Sequence, residues 1–162
     1  MKRPLVVGVM GGANADEQTT MDAYRLGEMI AKKGWVLLNG GRNTGVMAAS
    51  AKGAADHGGL TVGILPESDT AHASEAILIP ICTGMGSARN MINVLSSDVV
   101  VACKGGAGTI SEIALALKHA KQVITLNFEV ANLFKGIRQA GLLHAAQTPE
   151  EVVALIEKKI QR

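Results

Sequence analysis

Apolar residues fall in blocks along this chain. Short unbroken apolar runs are each followed by a longer stretch in which apolar residues recur every three or four positions. The unbroken runs fit strands buried on both faces of a sheet, and the longer period fits helices laid across them. Leu5 to Met10 predicts the first strand. Glu17 to Lys33 predicts the first helix, with Ala23, Tyr24, Gly27, Ile30 and Ala31 at helical spacing and Gly34 as its stop. Trp35 to Asn39 predicts a second strand, Val46 to about His57 a helix of small residues, and Leu60 to Leu65 a third strand closed by Pro66. The polar segment Glu67 to Ser74 reads as a surface loop with room to move. Ala76 to Ile81, Val99 to Cys103, Gln122 to Leu126 and Leu142 to Ala145 complete the expected strands. Helices are expected at Ala88 to Leu95, from Ile110 to Lys118, and at Ala131 to Gln139. Thr148, Pro149, Glu150 and Glu151 supply a capping hydroxyl, a proline at the first helical position and a glutamate at the third. They mark the start of a final helix over Val152 to Ile160.

Strands alternating with helices at this spacing predict an α/β fold: a Rossmann-like, doubly wound, mostly parallel sheet flanked by helices, in a single domain over residues 1–162. Ligands of such sheets collect beyond the C-terminal ends of the strands. Four glycine-containing loops are expected there. They carry Gly11 and Gly12; Gly40, Gly41, Arg42 and Gly45; Gly84 and Ser87; and Gly105, Gly106, Gly108 and Thr109. Glycines let backbone N–H groups approach a ligand closely, and a helix N-terminus behind them attracts an anion. Glycines that merely close strands are also ordinary in this architecture. No loop follows GxGxxG with an acidic residue about 20 positions on, and no GxxxxGK precedes a Ser or Thr, so a dinucleotide fingerprint and a P-loop are both excluded.

Composition narrows the picture. At 162 residues the chain is long enough for one sizeable core. It is 48% hydrophobic but only 2% aromatic, so Val, Ile, Leu, Ala and Met must fill that core and base stacking on aromatic platforms is a poor expectation. The formal charge of +2 is spread along the chain without a basic block, which gives no reason to expect a nucleic-acid partner. Cys82 and Cys103 lie far apart in apolar runs, as in a reducing compartment. Met1 to Arg3 and the short apolar run after Pro4 are too brief for a signal peptide or membrane span, so a cytoplasmic protein without a membrane partner is expected.

Four side chains are chemical candidates. Arg89 falls in the first turn of its helix, where the macrodipole disfavours a cation, so a bound anion or a carboxylate such as Glu112 is expected to compensate it. A plain surface arginine is the alternative. Glu112 has two readings. Thr109 to Glu112 spells a capping box, and the same carboxylate also stands beside a phosphate-binding turn, ready to act on a sugar or bind its hydroxyls. Arg42 and Lys104 sit in the loops and meet either an anionic ligand or solvent. The cysteines read as small core residues, the four histidines show no ligand spacing, and Met47, Met85 and Met91 read as packing. No metal site built from protein side chains is expected.

The stretch ARNMINVLSSDVVVACKGGAGTISE, Ala88 to Glu112, resembles the lysine-decarboxylase-like or "lonely guy" superfamily, whose pattern is a helical arginine, a buried strand and PGGxGTxxE. Within it the chain is most similar to the molybdenum cofactor carrier proteins, through GVMGGANAD, GWVLLNGGRNTGVM, GILPESDT, IPICTGMGSARNMINVLSSDVVVA and GTISEIALALK. That resemblance covers nearly the whole chain. It implies binding, protection and transfer of the molybdopterin form of the cofactor, an anionic pterin phosphate carrying molybdenum, as cargo. Molybdenum enzymes or their insertion machinery are the implied recipients, and homo-oligomers, a dimer of dimers among them, are implied as well. The superfamily's enzymatic branch cleaves cytokinin riboside 5'-monophosphates, and its arginine and glutamate match Arg89 and Glu112. Lys104 in place of the motif's proline, and Asn90 where a lysine often follows the arginine, depart from that branch. A non-catalytic carrier is therefore the leading reading; a phosphoribohydrolase and a nucleotide- or anion-binding regulatory module are the alternatives.

Overall fold

The computed structural model describes residues 3–160, so the first two residues, on which part of the expected start rests, lie outside it. The elements run β1 (Val6–Met10), α1 (Glu17–Lys32), β2 (Val36–Asn39), α2 (Gly45–Ala55), β3 (Thr61–Leu65), β4 (Ile79–Cys82), α3 (Arg89–Ser96), β5 (Val99–Cys103), α4 (Ala107–Lys118), β6 (Gln122–Leu126), β7 (Leu143–Ala146) and α5 (Pro149–Ile160). The strands form one sheet in the order β4-β3-β2-β1-β5-β6-β7, with every pair parallel.

Val7, Val9, Leu37, Val99, Val101, Ile124 and Leu126 face one side of the sheet and pack beneath α1, α2 and α5. Met10, Leu38, Ile64, Val100, Ala102 and Val123 face the other and pack against α3 and α4. Both faces are covered, so the strands read as solid apolar runs. The chain winds outward from β1 to β4, then returns to lay β5 on the opposite side of β1. The switch point therefore lies between the C-terminal ends of β1 and β5, where such sheets open a crevice. A hydrogen bond of 3.1 Å from the Gly12 amide to the Lys104 carbonyl joins the two loops there.

Two sequence expectations need correction. Ala131 to Gln139 is not a helix but two 3-10 turns, Ala131–Phe134 and Arg138–Leu142, separated by Gly136 at φ 84. The fourth strand starts at Ile79, because Ile77 is held in a turn by the Ser74 carbonyl. The Glu67 to Ser74 segment is a surface loop, as expected, and two hydrogen bonds tie it to the β2 loop: the Asn43 amide donates to the His72 carbonyl, and the Ser74 amide to the Gly41 carbonyl.

The start of α5 follows its sequence signature. Thr148 Oγ1 accepts from the Glu151 amide at 3.2 Å, while the Glu151 carboxylate reaches the Gln147 amide at 2.7 Å. This helix buries Val152, Val153 and Ile156. Thr148→Ala is expected to cost about 1 kcal/mol, the usual loss of a helix cap, read as a lower urea midpoint with no change in ligand binding.

Candidate functional site

A cavity of about 210 Å³ opens at the switch point. Gly11, Gly12 and Ala13 from the β1 loop, Gly40 after β2, Arg89 and Asn90 from α3, and Gly106, Gly108, Thr109 and Glu112 from α4 line it. Of the four expected loops, three reach it. Gly84 and Ser87 lie beyond edge strand β4 and do not line it, and α3 brings Arg89 and Asn90 in their place. Gly41 and Arg42 also lie outside, as do Gly45, which borders a neighbouring groove, and Gly105, which with Lys104 borders a second hollow.

Helix α4 begins at Ala107 with Gly106 as its extended N-cap, and no side chain caps it. The capping-box reading of Thr109 and Glu112 is thereby overturned, because Thr109 is already inside the first turn. Its consequence is chemical: the first-turn N–H groups have no intrahelical acceptor and no capping oxygen, and they border the cavity with the positive end of the helix dipole behind them.

Arg89 is the first residue of α3 and is half-buried. Its Nε donates to the Ile64 carbonyl at 2.9 Å, Nη2 to the Gly40 carbonyl at 3.5 Å and Nη1 to Asn90 Oδ1. All three acceptors are neutral. Glu112 acts on it only through space, and burial together with the nearby Arg42 pulls the guanidinium below its ordinary value. The expected carboxylate pairing is absent, which leaves a desolvated cation facing the cavity. Gly40 makes room for it: a Cβ there would stand 2.6 Å from Arg89 Nη2. Arg42 is exposed and bound to Glu67 by its Nε at 2.7 Å.

Glu112 is 6% exposed and accepts one hydrogen bond on Oε1, from Asn93 Nδ2 at 2.9 Å. Burial raises its pKa to about 7, against the opposing pull of Asn93 and Arg89. Asn93 is fully buried, and its Oδ1 has no partner among the described residues. Exchanging the amide ends presents that oxygen to a protonated Glu112, so Asn93 serves both charge states. Sequence reasoning missed Asn93 and took Asn90 only as a departure from a motif. Both lie on α3 with Arg89, and Asn90 also reaches Ser111 of α4 at 3.3 Å.

Lys104 donates to Asp16 at 3.0 Å, and hydrogen bonds from Thr19 and Lys104 hold that carboxylate down at about 2. Cys103 is buried and its thiol is pushed up to about 12, so it packs as a neutral side chain, while Cys82 is exposed on β4. Among the described residues no three His, Cys, Asp or Glu side chains group to hold a metal ion, and no helix is long and apolar enough to cross a membrane.

Residues 4–153 match the model of the SLOG cluster4 family. The chain belongs to that family. Its Rossmann-like fold recurs almost unchanged in the molybdenum cofactor binding protein of the phototrophic bacterium Rippkaea orientalis, with a TM-score of 0.94 and 48% identity over 99% of both chains. The molybdenum cofactor carrier protein of Chlamydomonas reinhardtii matches with a TM-score of 0.91 and 41% identity, over 99% of this chain and all of that one. Among curated sequences, an uncharacterized protein of Archaeoglobus fulgidus is 49% identical over 91% of each chain. A cytokinin riboside 5'-monophosphate phosphoribohydrolase of Mycobacterium tuberculosis is 31% identical over 96 residues, 56% of this chain and 50% of that enzyme. This SLOG cluster4 protein thus has molybdenum cofactor proteins as close structural neighbours, and its lonely-guy affinity is visible in part of its length.

Proposed function

We propose that this protein binds the molybdenum cofactor as cargo, shields it and hands it on without transforming it. The observation that carries the reading is Arg89: a half-buried cation with only neutral partners, beside the uncapped start of α4, in a fold shared with two molybdenum cofactor proteins. The arrangement suits the phosphate or oxyanion end of a pterin phosphate. Backbone N–H groups of the Gly106 to Thr109 turn donate to the anionic oxygens, and the guanidinium supplies a fork for two of them. Gly11, Gly12 and Gly40 keep the walls free of side chains. Gly41, Arg42, Gly45, Gly84, Ser87 and Gly105 shape the surrounding loops. Purified protein incubated with the molybdenum-loaded cofactor is expected to retain it through gel filtration and slow its oxidation. Cofactor that elutes separately and decays as fast as in buffer rejects the proposal.

A cytoplasmic protein that delivers to molybdenum enzymes or their insertion machinery follows from this reading. So does a homo-oligomer, and the outer sheet edge supports it: Leu78, Ile79, Ile81 and Met85 are 70%, 43%, 43% and 51% exposed on and beside β4. Light scattering of the eluting protein gives the subunit number.

One observation favours a second reading. Glu112, buried and titrating near neutrality, shares its cavity with Arg89, as a phosphoribohydrolase requires of its carboxylate and arginine. Release of adenine from adenosine monophosphate by the wild type, lost in Glu112→Ala, decides for that reading, and a rate equal to buffer decides against it.

A further inference from the structure

The Arg89 cavity is too small for the whole cargo. Sites that enclose a drug-sized ligand run from ~300 to 1,000 Å³, and this one measures about 210 Å³. It takes an anionic end, and the fused rings must lie outside. Beside it runs an open groove of about 1120 Å³ between the β1 loop, α2 and residues 74–76. Ala13 borders both spaces, so the two adjoin at the β1 loop.

The groove differs in kind from the cavity. Ala15, Ala48, Ala49 and Ala76 give it a floor of methyl groups with no bulky side chain, which suits a flat ring system. Its charges are mostly spent internally: Asp16 holds Lys104 at 3.0 Å, and Lys52 holds Asp56 at 3.0 Å. Glu75 is exposed, lines the groove and makes no ion pair or side-chain hydrogen bond among the described residues. The groove therefore presents one unpaired negative charge, which repels a phosphate and favours a donor edge. The cavity does the reverse. The two charges fix which way round a ligand with one anionic and one donor-rich end must lie.

We propose that this groove is the ring subsite, where Glu75 accepts hydrogen bonds from the amino group and ring N–H of a 2-amino-4-oxopteridine whose anionic end lies at Arg89. The assignment rests on the carrier reading. Two parallel N–H donors on that edge match the two oxygens of a carboxylate, as a guanidinium does. Guanine carries the same edge, so guanosine 5'-monophosphate is the competing source of this chemistry.

The test uses full-length wild type, Glu75→Gln and Ala48→Phe, each with two readouts: molybdopterin retained through gel filtration, and the melting shift produced by molybdate alone. Glu75 has no partner to lose, so Glu75→Gln is expected to fold normally whatever Ala48→Phe does. Both variants are expected to retain about tenfold less pterin while the molybdate shift stays at its wild-type size. Retention equal to wild type overturns the groove assignment and leaves the carrier reading standing. Loss of the molybdate shift along with the pterin also overturns it, because the damage then reaches the Arg89 cavity. In a parallel arm, a melting shift from guanosine 5'-monophosphate that exceeds the shift from molybdopterin and is lost in Glu75→Gln reassigns the groove to a nucleotide and overturns the pterin. A wild type that retains no pterin fails the carrier reading itself, and this assignment with it.

Discussion

Arg89→Met is expected to weaken retention of molybdopterin by about two orders of magnitude, close to 3 kcal/mol, while leaving the stability of the unliganded protein within about 1 kcal/mol of wild type. The two halves of this expectation have one cause. In the unliganded protein the guanidinium is held against the Ile64 and Gly40 carbonyls and the Asn90 side chain, none of which carries a charge. Burial without a counter-ion is a cost to folding, offset by those hydrogen bonds. Removing the guanidinium removes cost and compensation together. A bound anion changes the balance, because only then does the cation meet opposite charge in a partly dry site. Arg89→Lys keeps the charge but not the planar fork, and should recover only part of the affinity. Isothermal titration with molybdopterin and urea unfolding without it measure the two quantities. A variant that unfolds far more easily yet binds normally would make Arg89 a structural residue.

Much of this site was legible because its signals are local. The strands announce themselves as apolar runs, since a sheet covered on both faces has no polar side. Arg89 announces itself by standing where a helix dipole repels it. Elsewhere the deciding partner is distant in sequence. Asn93 looks like an ordinary helix residue until α4 brings the Glu112 carboxylate to its amide at 2.9 Å. Thr109 looks like a cap because it is a hydroxyl three residues before a glutamate, yet the chain turns helical earlier. Gly106, at φ −98 and ψ −153, ends the loop with no side chain at all, and a glycine start carries no capping signature. Ala131 to Gln139 has apolar residues at near-helical spacing, but Leu133 and Ile137 point outward at 61% and 44% exposure, and Gly136 turns the backbone left-handed between them. The groove was invisible for a related reason. Alanines signal a helix that can pack closely, and only the fold shows which of their methyls were left uncovered.

Glu112→Gln is expected to abolish a pH dependence that the wild type shows in both stability and binding. The carboxyl titrates at about 7 in the folded protein, against an ordinary value of 4.5. Between those two values the folded chain holds a proton that the unfolded chain has released, so this group's contribution is fully present below 4.5 and is lost as the pH rises through 7. The gap corresponds to about 3 kcal/mol, and with the side chain 6% exposed little solvent screening reduces it. Glutamine keeps the shape and the Asn93 contact and cannot ionise. The wild-type minus variant difference in unfolding free energy is therefore expected to be near zero in mild acid and to favour the variant by about 3 kcal/mol at alkaline pH. Binding follows the same logic with the opposite partner. An anion entering the cavity repels ionised Glu112 and raises its pKa further, while Arg89, the charged group facing it, pulls the other way. A dianion therefore binds with proton uptake above neutrality, and its affinity falls by up to about tenfold per pH unit there. Molybdate stays a dianion over this range, so the ligand's own titration adds nothing to the pH profile between about pH 6 and 9, and the comparison with Glu112→Gln isolates the share due to Glu112. Glu112→Gln should give a flat profile at the level the wild type reaches in acid. A wild-type profile as flat as the variant's would mean that Glu112 keeps one charge state throughout, and that the cavity holds its anion without help from a proton.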